Sequence, residues 1–286
     1  MSNPNCKNDV NWAIYNHSCQ KMPELLDGSV DLIVTSPPYW IKPNDSLMMP
    51  ALLREMDGDI PQTYESLLEL LTSCFAEAYR VLKPGGHAAI NVASTREKGV
   101  LRPLPSDLII GLLTLGFQLK EELIWRRWRA YDRRAGTLIQ KPYPGYYFPN
   151  KNHEWLLIFQ KPGPGIYEGR TLQEREASRL ETGPLYVFEI ASSVWNILPI
   201  PPASKEIHPC PFPDELPARL IELYSYKDDL VLDPFTGSGT TGKAAHHLRR
   251  RFVGYEINPE FIPLATERKS QPLIRQRHSA YYKTIR

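Results

Sequence analysis

Apolar positions along the chain follow two alternating patterns. Short apolar or β-branched runs, bounded by turn formers, predict strands at Trp12–Tyr15, Leu32–Thr35, Ala88–Val92, Phe117–Trp125, His153–Lys161, Leu230–Asp233 and Phe252–Tyr255. Longer stretches repeat their apolar residues every three to four positions. In Thr63–Leu82 these are Leu67, Leu68, Leu70, Leu71, Phe75, Ala78 and Leu82, the spacing of an amphipathic helix. Pro105–Leu115, Asp214–Tyr224, Thr240–Leu248 and Asn258–Lys269 predict further helices, and Met22–Leu26 one or two helical turns ending at Asp27-Gly28. Strands that are apolar throughout and alternate with helices predict an α/β domain around a mostly parallel sheet.

The breaks in this pattern are as informative as the elements. Residues 41–60 carry Pro43, Asn44, Asp45, Pro50 and Gly58 without periodicity. So long a loop in a compact domain is functional or mobile, which leaves a lid over a substrate or a surface insertion. Residues 163–202 mix a polar helix candidate, Leu172–Leu180, with short β-like pieces at Tyr186–Glu189 and Val194–Leu198.

Composition narrows the class. At 286 residues and 42% hydrophobic, the chain suits one large domain with insertions, or a domain plus a small lobe. A net charge of only +2 means that any affinity for nucleic acid must be local. One stretch supplies it: Trp125 to Arg134 interleaves Arg126, Arg127, Arg129, Arg133 and Arg134 with Trp125, Trp128 and Tyr131, near Tyr143, Tyr146, Tyr147 and Lys151. Arginine suits phosphate and base-edge contacts, and aromatic rings suit stacking on an unstacked base; the bland alternative is a solvated strand end. The 27 prolines cluster at element boundaries, as in shaped loops. The cysteines Cys6, Cys19, Cys74 and Cys210 have no zinc-type spacing and suit reduced thiols of a cytoplasmic protein. No apolar run approaches a membrane span, and Met1–Val10 lacks a signal-peptide core.

Two turns carry candidate chemistry. The first follows strand Leu32–Thr35 and reads Ser36-Pro37-Pro38-Tyr39-Trp40. Its prolines give a rigid extended exit and carbonyls with no competing N–H. Hydroxyls, carbonyls and flat rings together suit holding a planar, amino-bearing group. The second follows strand Leu230–Asp233 and reads Asp233-Pro234-Phe235-Thr236-Gly237-Ser238-Gly239-Thr240-Thr241. Glycines here let backbone approach a ligand and open a helix on its donor end. No Lys-Ser/Thr follows the second glycine, which excludes a phosphate-binding Walker loop; Gly242 is misplaced for a dinucleotide fingerprint. Strand Phe252–Tyr255 ends at Glu256, about 20 residues on, where an acid can accept from both hydroxyls of a ribose. His153-Glu154 has no third ligand at helical spacing, so structural roles are expected for the pair rather than metal binding.

Thr35-Ser36-Pro37-Pro38-Tyr39 resembles the catalytic motif of DNA amino-methyltransferases, and Asp233–Thr241 resembles their S-adenosylmethionine loop. Arg80–Gly86 and His208-Pro209-Cys210-Pro211-Phe212-Pro213 are similar to two of their connecting turns. The order of the two motifs is that of the β-group. The resemblance implies a Rossmann-like fold with helices on both faces of the sheet. It implies catalytic roles for Ser36, Pro37, Pro38 and Tyr39. Cofactor contacts are implied at Thr35, Phe212, Asp233, Pro234, Phe235, Gly237, Gly239, Thr240, Thr241, Glu256 and Asn258. It divides the chain into a catalytic half (1–162), a target-recognition insert (163–205) and a cofactor half (206–286). Serine before the prolines is commoner in cytosine-N4 enzymes, and Asn or Asp in adenine-N6 enzymes. The expected activity is therefore site-specific N4 methylation of a flipped cytosine in double-stranded DNA, with adenine N6 as the alternative. Also open are an RNA or protein-amide methyltransferase and a DNA-binding protein with an inactive cofactor fold. A cognate restriction endonuclease and a monomer or homodimer would fit. Cys210 lacks the context of a C5-methyltransferase nucleophile and is expected to be structural.

Overall fold

The computed structural model describes residues 10–40, 61, 63–97, 99–127, 144, 151–200 and 212–276. The expected elements at 41–60, 128–134 and 208–211, with Cys210, Arg129, Arg133 and Arg134, lie outside the described residues.

An eight-stranded sheet forms the centre. In chain order its strands are β1 (Trp12–Tyr15), β2 (Val30–Thr35), β3 (Leu82–Val92), β6 (Gln118–Arg126), β7 (His153–Gln160), β8 (Val194–Asn196), β9 (Leu230–Asp233) and β10 (Arg251–Tyr255). Their spatial order is β1-β10-β9-β2-β3-β7-β6-β8. β7 runs antiparallel to both its neighbours, β3 and β6, whereas the other pairs are parallel. Two short strands, β4 (Thr95–Glu97) and β5 (Val100–Arg102), make a separate antiparallel hairpin that the sequence does not announce.

Six helices complete the described core: α1 (Tyr64–Val81), α2 (Leu104–Thr114), α3 (Leu172–Ala177), α4 (Glu215–Tyr224), α5 (Thr240–His247) and α6 (Phe261–Arg268). α1 starts at Thr63, whose hydroxyl accepts from the Ser66 N–H while Ser66 reaches back to the Thr63 N–H. Its buried stripe, Leu67, Leu71, Phe75 and Ala78, joins α2's Leu104, Leu108 and Leu112 over one face of the sheet. Leu216, Leu220 and Ile221 of α4 and Ala244 and Ala245 of α5 cover the other. β2 serves both layers, with Ile33 in the first and Leu32 and Val34 in the second. That two-sided burial is why the strand reads as continuously apolar.

Several boundaries differ from expectation for identifiable reasons. Met22–Leu26 forms turns rather than helix, and the backbone there is claimed by Arg80, whose guanidinium donates to the Met22 and Leu25 carbonyls (3.0 and 3.1 Å). β3 begins at Leu82 instead of Ala88. Pro84-Gly85-Gly86 stays in the strand because Gly85, at φ +82°, forms a kink whose N–H still donates to the Lys161 carbonyl (2.8 Å). Tyr186–Ile190 is a π-helical turn, not a strand: Asn196 N and the Arg219 guanidinium both donate to Glu189, drawing it inward. α6 starts at Phe261, not Pro259, because the Asn258 carboxamide accepts from Glu260 N (2.8 Å) in a preceding turn. Asp214 precedes α4 without capping it and pairs with Lys243 (2.6 Å).

Candidate active site

β2 and β9 are neighbours, and the chain leaves them in opposite directions, through α1 to β3 and through α5 to β10. Ligands of open α/β sheets bind at such a reversal, beyond the carboxyl ends of the strands. Both candidate turns start there. Thr35, the last residue of β2, donates its hydroxyl proton to Asp233, the last of β9, at 2.6 Å. The two motifs, 198 positions apart in sequence, are therefore locked together.

Asp233 is 1% exposed and also accepts from the Phe235 N–H (3.1 Å). Among the described residues no cation pairs with it. Burial pushes its carboxyl up to about 6, despite the bonds from Thr35, Thr241 and Phe235 that pull the other way. A fully buried acid without a counter-cation is costly, and the ammonium of an amino-acid ligand would satisfy it. Glu256 is also buried, and burial raises its carboxyl. Its oxygens accept from Gly237 N (2.7 Å) and Asn258 N (2.8 Å), which fixes it across the glycine turn. A carboxylate has about four acceptor sites, so capacity remains for ribose hydroxyls. These acids fit a ligand with an ammonium and a sugar, as S-adenosylmethionine has.

The glycine turn is packed from behind. Gly239 sits at φ +83° before α5, where a Cβ would lie 2.6 Å from Ala265 Cβ. Arg268 donates to both Ser238 and Thr240 hydroxyls (2.8 and 2.9 Å), tying the end of α6 to the turn. Thr240 and Thr241 open α5, buried; Pro234 is buried, and Phe235 is half-buried 6.2 Å from the Phe75 ring. Phe212 lies just before α4 against the second core layer.

On the β2 side, Pro37 is buried, Pro38 is exposed, and Ser36 and Tyr39 are half-buried. The Tyr39 hydroxyl lies 3.3 Å from Ser36 Oγ and 2.8 Å from a Glu154 carboxylate oxygen. The Asn91 amide donates to that same oxygen (2.7 Å) and to Tyr39 (3.2 Å). Arg127 pairs with the second Glu154 oxygen at 2.9 Å and donates to the Lys151 carbonyl at 3.0 Å. Arg127 thus reaches inward, while Arg126 at the end of β6 is exposed. Asn91 and Glu154 are the residues that sequence reading missed. Their only signal was position, at the end of one strand and the start of the next.

A DNA methylase family model matches residues 30–267. The Type II methyltransferase M.MjaI of Methanocaldococcus jannaschii is 32% identical, over 91% of this chain and 91% of that protein. The chain belongs to the DNA methylase family. The order of its two turns makes it a β-group amino-methyltransferase, an enzyme of the class that methylates cytosine N4 or adenine N6 in DNA. DNA adenine methyltransferase YhdJ of Escherichia coli is 28% identical over 91% of this methylase and 83% of its own length. The DNA modification methylase TTHA0409 of Thermus thermophilus, complexed with S-adenosyl-L-methionine, superposes with a TM-score of 0.69 at 29% identity, covering 91% of this methylase and 95% of that chain. PvuII DNA methyltransferase, cytosine-N4-specific, shares the fold with a TM-score of 0.65 at 21% identity, over 92% of this methylase and 88% of that chain.

Proposed function

We propose that this methylase modifies the exocyclic N4 of a cytosine in duplex DNA, at a sequence read by the insert 163–205 and by the arginine-rich stretch after β6. The observation that carries this reading is the Ser36 turn held against the Asp233 loop by the Thr35–Asp233 bond. The methyl donor is S-adenosylmethionine, which supplies an electrophilic methyl group when bound. Asp233 suits its ammonium, and Glu256 its ribose. Gly237 and Gly239 leave backbone room, and Phe235, Thr240, Thr241, Asn258 and Phe212 frame the site.

The exocyclic nitrogen is a weak nucleophile because its lone pair is delocalised into the ring. Ser36 Oγ and the Pro37 carbonyl suit accepting its two N–H bonds, which favours a more tetrahedral nitrogen. The half-buried Tyr39 ring is available for stacking on the base. Direct attack needs no covalent enzyme intermediate, so orientation supplies much of the rate. A base in duplex must leave the stack to reach this turn. Exposed Arg126 suits phosphate contact, and Arg129, Arg133 and Arg134 continue the same stretch.

Adenine N6 is the second reading, supported by the similarity to an adenine methyltransferase. Nucleoside mass spectrometry after incubating unmethylated DNA with enzyme and S-adenosylmethionine separates the two. N4-methylcytosine is expected; N6-methyladenine would keep the site and overturn the base. Absence of both products would refute the activity.

A further inference from the structure

The hydrogen bonds around Tyr39 have a direction fixed by chemistry. Glu154 belongs to β7, which lies beside β3, so its side chain meets Asn91 next to the Ser36 turn. Its carboxylate is 8% exposed and paired with Arg127. A carboxylate only accepts, so the Tyr39 hydroxyl must donate to it. The Asn91 amide donates to both. The Tyr39 oxygen can then only receive from Ser36, and the Ser36 hydroxyl proton turns toward Tyr39, away from anything else it could face. Both Ser36 lone pairs are left to accept.

We propose that Glu154 is a positioning residue for methyl transfer: through the Tyr39 hydroxyl it orients the Ser36 hydroxyl so that Oγ accepts from the target amino group. The inference rests on the reading of Ser36 as that acceptor. A merely structural Glu154 would be satisfied by Arg127 alone. Instead one oxygen takes the guanidinium and the other takes Tyr39 and Asn91. Glutamine at 154 keeps the shape but can present its NH2 to Tyr39, which allows the phenol proton to turn toward Ser36 Oγ and occupy the lone pair the substrate needs. Phenylalanine at 39 keeps the stacking ring and cuts the link.

The test is steady-state methylation of one unmethylated DNA by wild type, Glu154→Gln, Tyr39→Phe and the double variant, with cofactor affinity measured by calorimetry. Charge-assisted hydrogen bonds of this kind correspond to roughly a ten- to hundredfold effect. We expect kcat to fall by that factor in each single variant, with DNA KM and cofactor affinity near wild type. The double variant should be no slower than the slower single one, because both changes break one chain. Wild-type kcat in either single variant, or losses that multiply in the double, overturns the positioning role and leaves the methyltransferase reading intact. If Glu154→Gln does not fold, Tyr39→Phe decides by the same criterion. A wild-type protein that methylates neither base overturns both.

Discussion

Asp233 stabilises the ligand at the expense of the fold, and the size of that conflict can be worked out. Its carboxyl titrates near 6 in the folded protein against 3.8 in an open chain. The folded state therefore holds its proton more tightly, so this group's contribution to stability is full below pH 3.8 and is lost as pH rises through about 6. Two units correspond to about 3 kcal/mol, reached by pH 8, where both states are ionised. At pH 5 the unfolded chain is already ionised while the folded one is mostly not, and only about half of that, ~1.5 kcal/mol, has been lost. Asp233→Asn removes the charge but keeps an oxygen for Thr35 and Phe235. Urea denaturation of the ligand-free protein at pH 5 and pH 8 should show the variant gaining about 1.5 kcal/mol relative to wild type between the two. Any fixed cost of the amide cancels in that difference. Binding should move oppositely: wild-type affinity for S-adenosylmethionine falls by about tenfold per pH unit below 6 as the carboxyl protonates, and the variant binds weakly throughout. A stability difference independent of pH would refute this account of Asp233, as would undiminished cofactor affinity in the variant.

Two further changes probe the scaffold. Gly239→Ala would force a left-handed residue and a Cβ 2.6 Å from Ala265, so we expect a loss of ~2 kcal/mol or more in denaturation and weakened cofactor binding in calorimetry. Unchanged values in both would show that the turn is not tightly seated on α6. Arg219, 1% exposed, pairs with Glu215 (2.8 Å) and Glu189 (3.3 Å). Arg219→Met should cost about 3–5 kcal/mol by leaving buried carboxylates short of a partner, measured by urea midpoint. Burial works to raise the Glu215 carboxyl, but Arg275 and Arg219 hold it below its usual value. Its contribution is therefore present above about pH 4.5 and lost as pH falls through the folded value, so the Arg219→Met penalty should shrink in acid.

The strands and the larger helices were legible because their signals are local. β2 and β9 are buried on both faces and read as unbroken apolar runs, and α1 carries its stripe and its cap in one window. Failures came where distant residues override local preference. Met22–Leu26 would serve as helix but surrenders carbonyls to Arg80, more than 50 positions away. Tyr186–Glu189 has strand-forming residues, yet Arg219 and Asn196 draw Glu189 inward and the backbone coils to follow. The β4–β5 hairpin is three residues a side, too short to leave a pattern.

The same division separates the parts of the site. Ser36–Tyr39 and Asp233–Thr241 are contiguous, so each turn's chemistry can be read from its own residues. What connects them is not contiguous. Thr35 reads alone as a strand residue, and only the pairing of β2 with β9 reveals that its hydroxyl serves Asp233. Glu154 reads as a structural acid because its neighbours in sequence are the apolar residues of β7. Its partners come from β2's exit, β3's end and β6's end, three places that meet only in the folded sheet. A motif fixes which groups touch the substrate. The protonation pattern and orientation of those groups are set by residues that the fold brings from elsewhere, which is why Glu154 is expected to matter to the rate while contributing nothing to the motif.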